Sequence, residues 1–391
     1  MKARLSHSRW KVLAFAREAG GAAAIAPVCK AMAEEGWELL LLGKDQGLDV
    51  FRNKKLTCID FPDFDAAALE DIICHNLGSY PDIILTSASS LPTEMTCRYL
   101  WRWGQRHGIP TVGILDQWQN YALRFSGPDK SDYLAYVPDF IFVMDELARR
   151  GMIGDGIPLE RIIITGQPAF DNIRDNFQLL RGDVDRIKRQ LNIDGNCTVT
   201  YVGESLKEAY GDTLGYDEQS VLEFLGDALD NFCSEKLKLK LCLIVKLHPE
   251  NKREEFESVI QKWPSFEKRI VAKELSTHEV ISISDIVVGM SSIMLVESIL
   301  ADKPTVSLQL NSLVDSQLMA TKTGAIPFIV SPESGRELLY RIIADASFSK
   351  QYVEQQKTWN IHENATAKCL SEIRNILGGK RKNAEGCFSL S

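Results

Sequence analysis

Short apolar runs alternate with longer amphipathic segments along most of the 391-residue chain. The runs are almost continuously apolar, as in strands that are buried on both faces of a sheet. In the first half they are WKVLAFA, WELLLLG, LTCIDF, PDIILTS, IPTVGILD, PDFIFVMD and RIIITG. Helical patterns such as AAIAPVCKAMAEEG and LPTEMTCRYLWRWGQRHG lie between them. The pattern predicts an α/β fold with a parallel sheet covered by helices.

The same alternation starts again after a charged, helix-compatible stretch near the middle of the chain. The strands predicted there are CTVTYVGE, LCLIVKLHP, KRIVAKE, SDIVVGM and KPTVSLQ. We therefore predict two Rossmann-like, doubly wound domains, 1–171 and 196–378, joined by a linker at 172–195 and facing a central cleft. Residues 379–391 are predicted to be a disordered tail. Such sheets bind ligands at the carboxyl ends of their strands, so the residues after each strand are the candidates for chemistry.

Composition narrows the classes of function. Charged residues make up 25% and hydrophobic residues 45%, the balance of a soluble globular protein. A net charge of −8 argues against a nucleic-acid partner. No apolar run approaches the roughly 20 residues of a membrane span, although transient membrane association stays open. The nine cysteines form no CxxC pair, which predicts reduced thiols in a cytoplasmic protein. Without a clustered Cys/His set, neither a metal nor a cofactor is predicted.

A glycine-rich turn, REAGG, follows the first predicted strand. Gly20 and Gly21 would let the backbone approach a ligand, and the helix that follows presents free N–H groups. Glu18 stands where a catalytic base could face that ligand. The alternative interpretation is a plain turn between strand and helix.

The segment GILDQWQNYALRF is the densest polar and aromatic stretch in the first half. Asp116 ends a strand and is a second candidate base. The polar and aromatic residues after it suit recognition of a sugar or an aromatic group, and they are Trp118, Asn120, Tyr121 and Arg124. Aromatic packing beneath a loop is the alternative.

In the second half, LIVKLHPEN places a histidine at the end of a strand. Pro249 prevents the strand from continuing as a central ladder, so His248 and the nearby Lys246 would lie at the ligand edge. An imidazole that donates a hydrogen bond to phosphate oxygens is chemically sensible there, whereas a lone histidine is more often structural. Gly203, in YVGES, would again permit close backbone approach.

The segment SDIVVGMSSIMLVES predicts a phosphate site. A strand ends at Gly289, and Ser291 and Ser292 open the next helix. The helix dipole and the free N–H groups of its first turn attract anions. Glu297 lies about a turn and a half into the helix, near enough to face a ribose. Helix capping by the serines is the alternative.

Together these motifs resemble the GT-B superfamily of nucleotide-sugar enzymes. KLHPEN is similar to the histidine–proline motif of UDP-N-acetylglucosamine 2-epimerases, CDP-glycerol glycerophosphotransferases and polysialyltransferases. SDIVVGMSSIMLVESILADKPTV resembles their nucleotide-phosphate segment, and ITGQPAFDN resembles the segment that closes their first domain. REAGG is placed like the acceptor-side glycine loop of lipid-A-disaccharide synthase. The resemblance implies that His248, Ser291 and Ser292 contact nucleotide phosphates and that Glu297 holds the ribose.

Two departures favour a transferase over an epimerase. The GTRPE loop of the epimerases is AREAGG here, and the double glycine after their serine is MSSI. We expect a glycosyltransferase-like enzyme that moves a sugar or polyol-phosphate group from a nucleotide donor on the second domain to a glycan or small-molecule acceptor on the first, in surface polysaccharide biosynthesis. The alternatives are a UDP-sugar 2-epimerase or hydrolase and a non-catalytic nucleotide- or glycan-binding protein. The sequence leaves the donor base, the acceptor and the oligomeric state open.

Overall fold

The chain forms two compact units, each built on a parallel sheet. The computed structural model describes residues 9–91, 94–171, 173–195, 197–235, 239–316, 318–359 and 364–388, without the side chains of 175 and 380–388. One unit comprises Met1–Asp171 with Ile361–Ser391, and the other comprises Asn172–Asn360. The predicted α/β class with two Rossmann-like sheets is confirmed.

The first unit contains a sheet of seven strands within the described residues, in the order β3-β2-β1-β4-β5-β6-β7. All neighbouring strands are parallel, and Leu13 lies between Leu40 and Ile84 in register. The strands are Lys11–Ala16 (β1), Glu38–Gly43 (β2), Ile59–Asp60 (β3), Ile83–Ser87 (β4), Thr111–Ile114 (β5), Phe140–Val143 (β6) and Ile162–Ile164 (β7). Every residue of β4 and β5 is buried, so both faces of the sheet centre are covered.

Helices connect these strands, as parallel pairing requires. They are Ala19–Glu34 (α1), Asp45–Asn53 (α2), Ala66–Leu77 (α3), Thr96–Arg106 (α4), Tyr121–Arg124 (α5) and Glu146–Gly154 (α6). The first helix begins earlier than its apolar pattern predicted, so that Gly20 and Gly21 lie in its first turn.

The second unit repeats this plan with a smaller sheet, whose order is β10-β9-β8-β11-β12. Val199 lies between Leu243 and Ile286 in register. The strands are Cys197–Val202 (β8), Leu241–Lys246 (β9), Glu267–Val271 (β10), Ile286–Gly289 (β11) and Thr305–Ser307 (β12). The helices are Ile173–Leu180 (α7), Val184–Gln190 (α8), Leu206–Tyr210 (α9), Glu218–Glu235 (α10), Arg253–Ile260 (α11), Thr277–Ile283 (α12), Ile293–Leu300 (α13), Met319–Lys322 (α14), Pro332–Ala344 (α15) and Ala346–Gln356 (α16).

The described part of the predicted linker, 173–195, is largely helical and packs on the second unit. Phe177 of α7 meets the ring of His278 on α12 edge to face, with the ring centroids 5.1 Å apart. Arg269 donates hydrogen bonds to the carbonyl groups of Leu191, at 2.6 Å, and Asn192. The apolar side chains Phe177 and Ile187 are buried, and this burial fixes the segment to its unit.

The last helix, Ala365–Phe388 (α17), belongs to the first unit although it follows the second in sequence. The carboxylate of Asp171 accepts hydrogen bonds from the N–H groups of Ala365, at 2.9 Å, and Thr366, at 2.6 Å, and so caps the helix. Leu370, Ile373 and other residues of α17 join the hydrophobic core around α1. The helix extends through part of the predicted tail, and residues 389–391 lie outside the described residues.

Strand order reverses direction between β1 and β4 in one sheet and between β8 and β11 in the other. In sheets of this kind the crevice beside such a switch, at the carboxyl ends of the strands, is where ligands bind. The residues that follow these strands therefore define the candidate site of each unit.

Candidate functional site

Glu18 lies directly after β1, at the amino end of α1, where the backbone is extended. Its carboxylate accepts a 2.6 Å hydrogen bond from the hydroxyl group of Ser89, which follows β4. Burial raises the pKa of Glu18, and the negative charge of Asp116 raises it further, while the Ser89 hydrogen bond lowers it. The two strands at the switch of the first sheet thus hold a carboxylate that keeps its proton more readily than an exposed one.

Asp116 follows β5 and is paired with a buried arginine. Arg124 Nη1 lies 2.9 Å from Asp116 Oδ1, and the same guanidinium donates to the carbonyl groups of Ala88 and Gln119. Asp116 also packs closely on α1, because a Cβ added at Gly20 would lie 2.6 Å from Asp116 Oδ2. A larger residue at position 20 would therefore displace the Asp116 carboxylate, and Glu18 and Asp116 share one end of the sheet.

A third carboxylate, Glu94, was not among the residues predicted from sequence. It is buried and forms a 2.9 Å ion pair with Arg17, which also pairs with Asp45 at 2.6 Å. Glu94 also accepts a 2.6 Å hydrogen bond from the N–H group of Thr96, the first residue of α4. The pattern LPTEMTCRYLWRWGQRHG predicts a helix that includes Glu94, whereas α4 begins at Thr96 and leaves Glu94 in the loop after β4.

The aromatic cluster after β5 packs within its own unit, which agrees with the alternative interpretation of that segment. Trp118 is buried, donates a 2.9 Å hydrogen bond from Nε1 to Asp145, and stacks on Phe170. Tyr121 is also buried, and its ring lies against Gly151. Asn120 precedes α5 with a φ of 57°. These contacts stabilise the loop that carries Asp116 and Arg124.

In the second unit, the loops after β8 and β9 interlock. The N–H group of Gly203 donates to the carbonyl group of Lys246 at 2.8 Å, and a Cβ at position 203 would lie 2.8 Å from Asn251 Oδ1. Asn251 Oδ1 accepts from the N–H group of His248 at 2.9 Å, and Asn251 Nδ2 donates to the carbonyl group of Glu204 at 3.0 Å. Gly203 is thus needed for close packing of the loop that carries the histidine.

His248 remains partly exposed, with 39% of its side chain accessible. Its Nδ1 accepts a 3.3 Å hydrogen bond from the N–H group of Glu250. In the neutral imidazole the proton then resides on Nε2, which makes that nitrogen a hydrogen-bond donor. His248 is therefore accessible and can donate a hydrogen bond from Nε2 to an anion.

Lys246 contacts a different loop. Its Nζ donates to the carbonyl groups of Ala272 and Leu275, the latter at 2.9 Å, and burial lowers its pKa. These carbonyl groups follow β10, at the edge of the ligand side. The Lys246 side chain thus links the end of β9 to the loop after β10, a contact that the sequence did not indicate.

The turn between β11 and α13 forms a dense set of hydrogen-bond donors. Gly289 ends β11, and Ser292 caps α13 by accepting a 3.2 Å hydrogen bond from the N–H group of Met294. Ser291 donates through its N–H group, at 2.8 Å, and its hydroxyl group, at 2.7 Å, to the carboxylate of Glu204. Glu204 follows the quoted Gly203 by one position and was missed.

Glu297 lies on α13, about a turn and a half from Ser292, as its spacing predicted. Burial raises its pKa to about 7, and among the described residues no hydrogen bond or opposite charge offsets that burial. A largely buried carboxyl group without such a partner is costly for the folded protein.

A concavity of about 640 Å³ on the first unit lies at the other edge of the sheet. Its lining includes Val137 and Asp139, just before β6, and Arg161, just before β7. These positions are at the amino ends of the strands, so the concavity is separate from the residues described above. Groups of three or more acidic, histidine or cysteine side chains placed to hold a metal ion are absent from the described residues. None of the described helices is long and apolar enough to cross a membrane.

The two parallel-sheet α/β units that these elements define form a fold that solved structures of other proteins share. No protein-family model matches the chain, and no curated protein matches it significantly in sequence. Solved structures do match it over nearly its full length. UDP-GlcNAc 2-epimerase from Neisseria meningitidis, bound to UDP-GlcNAc, is similar with a TM-score of 0.70 at 13% identity, covering 93% of this chain and 100% of that one.

Two further solved structures, of other proteins, have the same fold as this chain. Anabaena Alr3699/HepE, in complex with UDP and glucose, has a TM-score of 0.62 at 12% identity, covering 94% of this chain and 99% of that one. Acinetobacter baumannii MurG has a TM-score of 0.55 at 12% identity, covering 94% of this chain and 100% of that one. At these identities the likeness establishes the fold.

Proposed function

We propose that the protein is a nucleotide-sugar enzyme, and specifically a glycosyltransferase that takes a sugar from a nucleotide donor bound by the second unit. The observation that carries the proposal is the unpaired, half-buried carboxyl group of Glu297, on the helix that begins at the β8/β11 switch. A ribose offers hydroxyl groups that such a carboxyl can bind, which would offset the cost of its burial. Solved structures of the same fold have UDP-GlcNAc or UDP bound.

The donor phosphates would lie at the amino end of α13. The helix dipole and the N–H groups of its first turn favour an anion there. His248 Nε2, on the neighbouring loop, can donate a hydrogen bond to a phosphate oxygen. Both contacts strengthen as negative charge develops on the departing nucleotide, so they favour the transition state over the ground state.

For the proton of the acceptor, Glu18 is a better base than Asp116. Arg124 pairs with Asp116 at 2.9 Å, which occupies one oxygen of that carboxylate and fixes its direction. Arg17, which precedes Glu18, pairs with Asp45 and Glu94 and not with Glu18. Glu18 accepts only the weaker hydrogen bond of a hydroxyl group, and its pKa is raised toward the range of a general base.

The proposed transfer forms one bond to the sugar and breaks another. The acceptor hydroxyl transfers its proton to Glu18 while its oxygen bonds to the anomeric carbon of the sugar. The bond from that carbon to the donor phosphate oxygen breaks, and its electron pair leaves with the nucleotide. Asp116 and Glu94 keep the strand ends of the first unit in place through their arginine partners.

A 2-epimerase is the second candidate, and two observations favour it. Several of the similar solved structures are named as UDP-GlcNAc 2-epimerases. In addition, Glu18, Glu94 and Asp116 lie close enough to affect one pKa, and epimerisation requires groups that remove and return a proton. Against it stand the AREAGG and MSSI segments, which differ from the epimerase motifs.

Product analysis separates these functions. The purified protein is first screened for binding of UDP, CDP, CMP and GDP by calorimetry. It is then incubated with UDP-GlcNAc, UDP-glucose and the sugar nucleotide of whichever base binds, with and without a pool of oligosaccharide acceptors. Release of nucleotide that requires acceptor supports the transferase, and inversion at C2 of the sugar without acceptor supports the epimerase. Binding without either product would overturn both and leave a non-catalytic binding protein.

A further inference from the structure

The carboxylate of Glu204 binds the turn that opens α13 at several points. Glu204 Oε1 accepts hydrogen bonds from the N–H groups of Met290, at 3.1 Å, and Ser291, at 2.8 Å. Glu204 Oε2 accepts one of 2.7 Å from the hydroxyl group of Ser291. The residue is only 8% exposed, so these are buried, charge-assisted bonds.

The main chain of the same residue is tied to the histidine loop. Asn251 Nδ2 donates to the carbonyl group of Glu204, and Asn251 Oδ1 accepts from the N–H group of His248. Residue 204 therefore joins the two segments proposed to hold the donor phosphates, the loop after β9 and the turn after β11. The buried position and the direct bonds allow little independent movement of either segment.

From this juxtaposition we infer that Glu204 is a positioning residue for the donor phosphates. Its carboxylate takes up the N–H and hydroxyl groups of Ser291, so these groups face inward and do not bind the ligand. Glu204 is also hydrogen-bonded to the N–H group of Ser292, and Ser292 itself accepts from the N–H groups of Met294 and Leu295, so the groups left for the ligand are the Ser292 hydroxyl and the N–H group of Ile293, the first residue of α13. The inference rests on the proposed function, because it requires a nucleotide in the second unit.

The role differs from the one predicted for Ser291. If Ser291 bound phosphate directly, a neighbouring carboxylate would repel the ligand, and its removal would tighten binding. If Glu204 instead fixes the turn, its removal lets the turn move and weakens binding of any ligand that contacts it. The contact proposed for the ribose is Glu297, farther along α13, so only phosphate-dependent binding is expected to change.

The test compares nucleotides with nucleosides. Calorimetry measures the affinity of wild type, Glu204→Gln and Glu204→Asp for three pairs: UDP and uridine, CDP and cytidine, and GDP and guanosine. For the pair that binds, we expect Glu204→Gln to weaken the diphosphate about tenfold, the loss of roughly one charge-assisted hydrogen bond, and to leave the nucleoside unchanged. Glu204→Asp keeps the charge but is shorter, and we expect a smaller effect in the same direction. It also provides a measurement should the glutamine variant fail to fold.

Glu208→Gln is the matched control, because Glu208 is exposed and, among the described residues, its carboxylate hydrogen-bonds to the nearby Ser205 hydroxyl alone, at 3.3 Å. Tighter diphosphate binding in Glu204→Gln would overturn the inference in favour of a competing carboxylate. An equal loss for diphosphate and nucleoside together with a lower Tm would show a merely structural role, and unchanged binding would show none. A wild type that binds no member of the panel overturns the proposed function and this inference with it.

Discussion

The hydroxyl group of Ser89 donates a hydrogen bond of 2.6 Å to Glu18 Oε1, across the switch between β1 and β4. A hydrogen bond to a carboxylate favours its charged form, while burial and the charge of Asp116 favour its protonated form. The balance leaves the pKa of Glu18 above its ordinary value of 4.5. Three predictions about the first unit follow from this relationship, and two more concern the second.

Glu18→Gln is expected to reduce turnover by roughly 10²–10⁴-fold, the usual contribution of a general base. Nucleotide affinity should stay the same, because Glu18 belongs to the other unit. In the wild type, kcat should fall on acidification through a pKa above 4.5, since the proton must be absent from Glu18 for it to act as a base. Steady-state kinetics across pH with the identified donor test this. A variant with full turnover would exclude Glu18 as the base.

Ser89→Ala is expected to move the acidic limb of the pH profile to higher pH. The substitution removes the hydrogen bond that lowers the pKa of Glu18, so this pKa rises and the carboxylate becomes protonated at a higher pH. Activity well above the new pKa should be close to that of the wild type. The same kinetic measurement tests it, with Ser79→Ala, an exposed serine of the same unit, as the control. A limb that does not move would mean that Ser89 does not hold the reacting carboxylate.

Asp116→Asn is expected to move the same limb in the opposite direction. The negative charge of Asp116 raises the pKa of Glu18, and its neutralisation also leaves the positive charge of Arg124 without its partner. Both changes lower the pKa of Glu18. If the limb instead disappears along with activity, Asp116 itself is the base.

His248→Ala and Lys246→Met are expected to separate ligand binding from stability. His248 is partly exposed, so its loss should weaken nucleotide binding about tenfold with little change in Tm. Lys246 donates to two carbonyl groups after β10, so its loss should lower the free energy of unfolding by about 1–3 kcal/mol and leave affinity nearly unchanged. Calorimetric titration and thermal unfolding of both variants test the pair. The reverse pattern would assign the phosphate contact to Lys246.

Glu297→Gln is expected to stabilise the protein at pH 8 while weakening nucleotide binding. Because the folded-state pKa is about 7 and the ordinary value is 4.5, the folded protein binds the proton more tightly, and stability falls as pH rises through this window. Removal of the charge should then raise the free energy of unfolding by up to about 3 kcal/mol at pH 8 and by almost nothing at pH 4. Glu257→Gln, an exposed position on α11, is the control and should change neither property. Equal Tm shifts at both pH values would contradict the assignment.

Much of the architecture was predictable because buried parallel strands are short, continuous apolar runs. Each run quoted from the sequence contains a strand, although LTCIDF contributes only Ile59–Asp60. The segment 173–195 gave no indication of its packing partner, because its charged residues obscured a sparse apolar stripe that includes Phe177 and Ile187. Its packing on α12 depends on a partner more than eighty positions away, and periodicity alone does not identify such a partner.

Site residues that lie at strand ends could be predicted from the sequence, whereas hydrogen bonds between distant loops could not. Glu18, His248 and Ser292 follow strands or open helices, and the structure places them there. Glu204 and Asn251 were visible inside quoted motifs, but their hydrogen bonds join loops that are distant in sequence. Trp118 and Tyr121 have the composition of a sugar-binding cluster, yet tertiary packing buries them.

The position of α17 has a consequence for how the chain acquires its shape during synthesis. Strands β1–β7 leave the ribosome long before the helix whose residues Leu370 and Ile373 complete their core. An apolar groove on α1 therefore stays uncovered in the nascent amino-terminal half until α17 has been synthesised. Premature termination between residues 171 and 365 would leave that groove open, even in a product whose β8–β12 sheet is complete.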